Sequence, residues 1–490
     1  MRKIIFLFLI LIISLKSSTG QPTFQKYFDL VGISEVQQTF DGGYIFAGNY
    51  FGIPFSYYNT ALVKTDAFGD TSWVLTYSFT HRDFLKYVSQ TEDSGFVVIG
   101  SSEDTINGWW QLIMTFKIDK FGNLIWSKFY EGQQGYAIEE TNDNGFIMIA
   151  EFGEKVIKTN MLGDTVWTKD YQTIPTSGSS GAYIHQTPDN GYVFGGYYYT
   201  VGGTKSGCNL IKIDSLGNVI WSKNYQRSGY TWGTSMQLTR DGGYILAGTM
   251  NLQTGSDDFF LIKADANGDT LWTRSYGTPL ADDAWHVREA NDGGYIISGG
   301  TGYNLTYVVR TDSLGTLLWS KHFQGGARSD CQQTVDGDYI MAGGYITRTD
   351  SNGNSCANLV DPNTIVGFPN FSVNQDSVFS LPFNPSVRNL PVSITRGTSV
   401  ITICNVTGIK EPQYSELNIL ASPNPFSTVL NISNTEIGEI YLYDITGKII
   451  LKQRTAKGNT SLNTENVTPG IYLLHYLDGS NRIYSKVIKF

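Results

Sequence analysis

Acid–base chemistry needs titratable side chains close together, and a run that offers them in this 490-residue chain is Ala281-Asp-Asp-Ala-Trp-His286. Asp282, Asp283 and His286 have the right groups, but the chain has five histidines in all and no second cluster converges on this one in sequence. No catalytic residue is therefore assigned. Stacking chemistry is better represented. Trp110 in NGWW, Tyr198 in GGYYYTVGG, Trp232 in SGYTWG and Trp285 in ADDAWH offer ring faces that suit a sugar or anchor a protein partner. With Asp283 and His286 they are the candidate ligand-binding residues. Asp265, Asn267 and Asp269 alternate as a calcium loop would, yet Gly268 interrupts them and no bidentate Glu follows, so they read as a plain turn. Neither a metal nor a cofactor is expected. Of the 4 cysteines, Cys356 and Cys404 are the candidates for a bridge, Cys331 reads as a small buried apolar residue, and Cys208 has no obvious partner.

The elements that must position these residues repeat. The frame KIDSLGNVIW (Lys212 to Trp221) returns as variants starting at Lys64, Lys117, Lys158, Lys263, Arg310 and Arg348, the last with Ala357 in place of Trp. Each frame reads as a strand end, a tight Asp-x-x-Gly turn and a second strand opening on Trp. Between frames runs an Asp-Gly type turn before an apolar strand, at Asp41, Asp93, Asp143, Asp189, Asp241, Asp292 and Asp336. The period is roughly fifty residues, four short strands each with no helical periodicity, which makes one propeller blade per repeat. The expected fold is all-β: a seven-bladed β-propeller over 21–356. After Trp, the outer strand carries a basic residue and an aromatic at alternate positions, as in Trp126, Lys128, Tyr130. Phe24, Lys26 and Phe28 have the same spacing with no hairpin before them, so residues 23–29 are expected to supply the outer strand of the last blade.

Strand parity puts the uniform turns at one end of every blade and the variable, aromatic-rich connections at the other, where binding usually resides. Residues 1–20 read as a cleavable signal peptide: Arg2 and Lys3 precede an apolar run too short to span a bilayer, and no transmembrane segment is expected in the mature chain. A net charge of −9 with no basic cluster excludes nucleic acid as a partner. Residues 357–410 break the repeat and read as a short β spacer or ordered linker.

The last segment has its own pattern. Leu417 to Ser433 (LNILASPNPFSTVLNIS), Gly438 to Gln453 (GEIYLYDITGKIILKQ) and Val467 to Ser480 (VTPGIYLLHYLDGS) alternate as the strands of a small Ig-like β-sandwich over 411–490. They resemble the type A sorting domain of the type IX secretion system. The resemblance rests on Pro423, Asn424, Pro425, Asp444, Gly447, Pro469, Gly470 and Tyr472, in the family's order and at the chain end. It implies a bacterial secreted repeat protein that engages the type IX machinery and is carried through the periplasm to be secreted or held on the outer cell surface. For the repeat region the expectation is a binding module for glycan or protein rather than an enzyme, the alternative being a polysaccharide lyase or glycoside hydrolase.

Overall fold

The computed structural model describes residues 23–28, 33–51, 58–80, 82–104, 110–150, 155–173, 176–200, 206–227, 229–251, 256–302, 305–326, 329–356, 362–374, 378–381, 387–388, 393–396, 400–406, 420–422, 427–435, 437–444, 448–478 and 481–489. Residues 1–20, where the sequence reading expects a signal peptide, and Pro423, Asn424, Pro425 and Gly447 lie outside them. Strands and turns make up the described residues, with no helix among them, in two compact units, Met1–Gly408 and Ile409–Phe490.

Strand β1 (Thr23–Phe28) opens the first unit. Antiparallel sets of four follow: β2–β5 (Ile33–Gln38, Tyr44–Phe51, Tyr58–Thr65, Thr71–Ser78), β6–β9 (Arg82–Gln90, Phe96–Asp104, Trp110–Ile118, Leu124–Glu131) and β10–β13 (Gly135–Glu140, Phe146–Ala150, Lys155–Thr159, Thr165–Thr173). Next come β14–β17 (Thr176–Gln186, Tyr192–Thr200, Ser206–Ile213, Val219–Arg227), β18–β21 (Thr231–Leu238, Tyr244–Asn251, Asp257–Ala264, Thr270–Gly277) and β22–β25 (Asp282–Glu289, Tyr295–Thr301, Leu305–Thr311, Leu317–Gln324). The last set, β26–β28 (Asp330–Gln333, Tyr339–Ala342, Ile346–Thr349), takes β1 as its fourth strand, with Phe24 opposite Arg348 and Lys26 opposite Ile346. The arrangement is propeller-like.

The two repeating motifs bind each other within a set. Asp143 Oδ1 accepts from Thr141 Oγ1 and Gly145 N (2.5 and 3.1 Å), which shapes the Asp-Gly turn, and Lys158 of the frame donates to the same carboxylate at 2.9 Å. Lys64, Lys117, Lys212 and Lys263 do the same to Asp41, Asp93, Asp189 and Asp241. Burial opposes ionisation, but the hydrogen bonds from Thr187 and Lys212 prevail and hold Asp189 at about 2.

The Trp and its outer strand join one set to the next. Trp126 lies edge-on to Phe146 of the following set, ring centroids 5.6 Å apart, and Trp167 to Tyr192, Trp221 to Tyr244 and Trp319 to Tyr339 repeat the contact. Tyr130 OH donates to Gly163 O (2.5 Å) and Lys128 Nζ pairs with Asp164 (2.9 Å) across the same seam. Gly163 must be glycine: its φ is 76°, and a Cβ there would stand 2.9 Å from Lys128 Cγ. The seam between last and first sets is built alike, with Phe24 edge-on to Tyr44 (6.5 Å) and Lys26 Nζ on Asp70 Oδ1 (2.7 Å). Beside them Val335 N donates to Gln38 Oε1 as Asn291 N does to Gln333 Oε1, at 2.8 and 2.7 Å.

The segment read as spacer or linker adds strands to these sheets. β29 (Ile365–Gly367) pairs with β21, β30 (Ser372–Asn374) with β17, β31 (Val378–Leu381) with β13, β32 (Val387–Arg388) with β9 and β33 (Ser393–Arg396) with β5. β34 (Val400–Val406) then pairs with β1. The segment thus revisits the sets in reverse order, laying a strand against six of the seven outer edges, and Thr364 hydroxyl contacts to Tyr307 and Ser320 tie it to the β22–β25 set as well. Covering an outer strand removes an exposed row of backbone donors and acceptors.

In the second unit, β35 (Leu420–Ser422), β36 (Val429–Thr435) and β39 (Gly458–Asn463) form one sheet. β38 (Ile449–Arg454), β37 (Glu439–Asp444), β40 (Gly470–Asp478) and β41 (Asn481–Lys489) form the other. Leu430, Ile432, Ile440, Leu442, Leu462, Leu474 and Val487 make their shared core. Asp444 Oδ1 caps the turn at Lys448 N (3.0 Å), Tyr472 is buried with its hydroxyl on Thr468 O (2.6 Å), and Pro469 is exposed.

Candidate functional sites

The first strand of six of the sets breaks register at a matching point: between Ile33/Glu35, Leu85/Tyr87, Gly135/Ala137, Gly181/Tyr183, Gly233/Ser235 and Ala284/His286. A bulge re-aims the residue that follows it. These residues and the equivalent Asp330 bring unlike side chains together from distant parts of the chain. Arg288 Nη2 donates to Asp330 Oδ2 (2.7 Å) and Glu35 Oε1 (2.8 Å), Val36 N donates to Asp330 Oδ2 (3.2 Å), and Tyr183 OH lies 2.8 Å from His286 Nδ1. One step along the strands, His185 Nδ1 lies 2.9 Å from Glu139 Oε2.

Burial and the neighbouring Asp330 carboxylate push Glu35 well above the usual carboxylate range. Burial acts on Asp330 in the same sense, but the neighbouring Arg288 guanidinium outweighs it and holds that carboxyl at about 2. Burial keeps His286 below the ordinary imidazole value, whereas for His185 the Glu139 carboxylate overcomes burial and raises it. Within the cluster, burial thus favours the neutral forms of Glu35 and His286, while Arg288 holds Asp330 ionised. Donor atoms of Glu35, His286 and Asp330 lie within 4.8 Å of one another, a spacing that suits a cation, but the guanidinium already occupies both carboxylates. A metal ion there would have to displace Arg288.

The second site is aromatic. Trp232 on β18 stands at the strand end opposite the Asp-Gly turn, 36% exposed, with Tyr197 of β15 at 5.0 Å and Tyr230 of the preceding link, 40% exposed, at 6.2 Å between centroids. The trio spans the seam between two sets. Thr231 N on Ser206 Oγ (2.8 Å) and Tyr230 O accepting from Asn251 N (2.9 Å) fix its backbone. Gly233 is forced by proximity, since a Cβ there would meet Cys208 Cβ at 2.5 Å.

The sequence candidates separate between these places. Trp232 belongs to the aromatic trio and His286 to the inner cluster, turned toward Tyr183 and Asp330. Asp283 is exposed on β22, opposite Gly300, and Trp285 is half-buried at the bulge. Asp282 is fully buried and accepts from Thr278 N (2.6 Å), as Asp83 does from Phe79 N (2.7 Å), so it closes the link between sets. The side chains of Trp110, Tyr198 and Cys404 lie outside the described residues. Cys356 is disulfide-bonded, and Cys208 and Cys331 are free and buried.

Sequence reading did not name Glu35, Arg288, Asp330 or Tyr183. One signal was available. The apolar column Val36, Val88, Ile138, Ile184, Met236, Val287, Cys331 is regular, and the column before it, Glu35, Tyr87, Ala137, Tyr183, Ser235, His286, Asp330, is not.

Residues 421–489 match the secretion system C-terminal sorting domain. This is the type IX sorting domain, and it marks the chain for export to the cell surface or secretion and for engagement with that machinery. A search of curated proteins finds no match to the sequence. Among solved structures the chain is similar to PorZ, a surface component of the type IX secretion system of Porphyromonas gingivalis, at 11% identity and a TM-score of 0.40 over 93% of this chain and 59% of that one. It is also similar to a protein of unknown function from Bacteroides caccae (11%, TM-score 0.32, 54% and 93% covered) and to a putative gluconolactonase (10%, TM-score 0.32, 56% and 91% covered). The chain thus spans less than two thirds of the PorZ chain's length. No helix among the described residues is long and apolar enough to cross a membrane.

Proposed function

We propose that the first unit is a seven-bladed β-propeller that binds a glycan through the aromatic trio Tyr197, Tyr230 and Trp232, and that the second is an Ig-like sandwich that exports it. The observation that carries this reading is the partly exposed Trp232 flanked by two tyrosine rings on the variable end of the strands. Ring faces held in place on a rigid sheet stack on sugars at small entropic cost. Asp283 and Trp285, one repeat further on, extend the same end. In this reading residues 1–20 are a cleaved signal, Cys356 pairs with Cys404, and Pro423–Pro425 with Gly447 complete the sorting signal.

A glycan array probed with wild type, Trp232→Ala and Trp285→Ala tests it. Loss of most of the signal in Trp232→Ala supports the reading, and undiminished binding in that variant removes the choice of site. Binding to a protein and to no glycan would reassign the ligand class while leaving the face in place.

A second reading, a polysaccharide lyase or hydrolase, is favoured by one feature: Glu35 and Asp330 are neighbouring carboxyls with opposed acidities, the signature of an acid and a base. Against it, both are buried and already bonded to Arg288. Turnover of a polysaccharide that disappears in His286→Ala would establish this reading over the first.

A further inference from the structure

The strands from β29 to β34 form a belt that starts just after Cys356 and ends on the strand containing Cys404. Between the two cysteines the chain is laid against β21, β17, β13, β9, β5 and β1 in turn, and Thr364 touches the remaining set through Tyr307 and Ser320. Every set of the first unit is therefore met once on this circuit. The two ends come back to one sheet: Cys404 stands opposite Gln25, Gln25 stands opposite Thr347, and Cys356 follows that strand by one turn. Cys356 is disulfide-bonded, Cys208 and Cys331 are free, and the chain has 4 cysteines, so by count its partner is Cys404.

We propose that the Cys356–Cys404 bond turns residues 356–404 into a covalent hoop around the outer strands, which holds the belt in place and clamps β1 between β28 and β34. The individual contacts are weak. β32 has 2 residues, β29 and β30 have 3 each, and strands this short, lying on an edge, would peel from a free end even where Val366, Phe371 and Val373 pack on the sheets. A closed band has no free end. Its closure also restricts the unfolded chain over a long loop, where loop-closure entropy is large.

Forming the bond removes two protons and two electrons from the two thiols. An oxidised dithiol of the kind found in oxidising export compartments accepts them and leaves as the reduced dithiol. Because the belt reaches β1 only after passing every other set, the second cysteine comes within reach of the first when the circuit is complete. The bond is thus a late, folding-dependent event.

The inference rests on the Cys356–Cys404 pairing, which a peptide map of the non-reduced full chain tests by itself: a linked Cys356–Cys404 peptide is expected, and a different partner for Cys356 would overturn the hoop. The second measurement is protease cleavage within the belt and urea unfolding, for oxidised wild type, reduced wild type, and Cys356→Ser and Cys404→Ser. Oxidised wild type should resist, and the other three should be cut at one common faster rate. The unfolding equilibrium should shift by up to about a thousand-fold, the entropic limit for a loop of this length. Equal cleavage rates for oxidised and reduced wild type would sink the proposal even with the bond present. Reduction of the already folded wild type guards against a serine variant that fails for other reasons.

Discussion

The ion pairs at the rim of the sheets and the cluster at their inner strands use the same chemistry in opposite ways. Lys158 is buried and Asp143 is 65% exposed, and the arrangement recurs from set to set because it shapes a turn that every set needs. Arg288, Glu35 and Asp330 come together once: Glu35 and Asp330 are buried at positions that in other sets hold Tyr87, Ala137 or Ser235, and the half-buried Arg288 stands where other sets hold Gln37, Ser89 or Gln237. A repeated pair identifies a structural necessity. A pair found once marks a place where the repeat was free to change and did.

The comparison breaks most easily at Arg288. Arg288→Met leaves two buried carboxyls without their cation and should cost about 3–5 kcal/mol in urea unfolding at neutral pH. A loss under about 1 kcal/mol would place the cluster with the rim pairs. A smaller effect, visible in its pH dependence, comes from Glu35→Gln. The folded-state pKa of Glu35 is raised above its ordinary 4.5, so its protonated form favours folding, and that contribution is lost as pH rises above 4.5. Asp330 acts oppositely: held at about 2 rather than 3.8, its contribution is present above 3.8 and lost as pH falls toward 2. Stability measured from about pH 5 to about pH 8 should therefore decline less steeply in Glu35→Gln than in wild type. Parallel curves would show that Glu35 ionises as readily folded as unfolded. Smallest is Asp143→Asn, where solvent screens the pair and Asn keeps an acceptor for Thr141 and Gly145. The expected cost is about 1 kcal/mol or less, read from the thermal midpoint.

Much of the first unit could be read from the sequence because its motifs act locally. Asp-Gly turns, Asp-x-x-Gly turns and alternating strands fall within a few residues of each other, and Phe24 and Lys26 copy the spacing of Trp126 and Lys128 closely enough to place β1. That the frame lysine reaches the carboxylate of the other motif was not legible, since the partners are separated by two strands. The belt left still less trace. Val387–Arg388 joins its sheet through backbone groups, which every residue has, so no side-chain pattern announces it. The inner cluster escaped for a third reason: Glu35 and Arg288 are 253 residues apart and meet through bulges that only the folded strands reveal.

Thr23 stands opposite Val406. The first of the described strands is thus sandwiched between two that are synthesised after residue 345, and until then neither of these neighbours is present. A chain cut short anywhere in the belt leaves that strand with a bare flank, so premature termination yields a sticky product rather than a smaller working one.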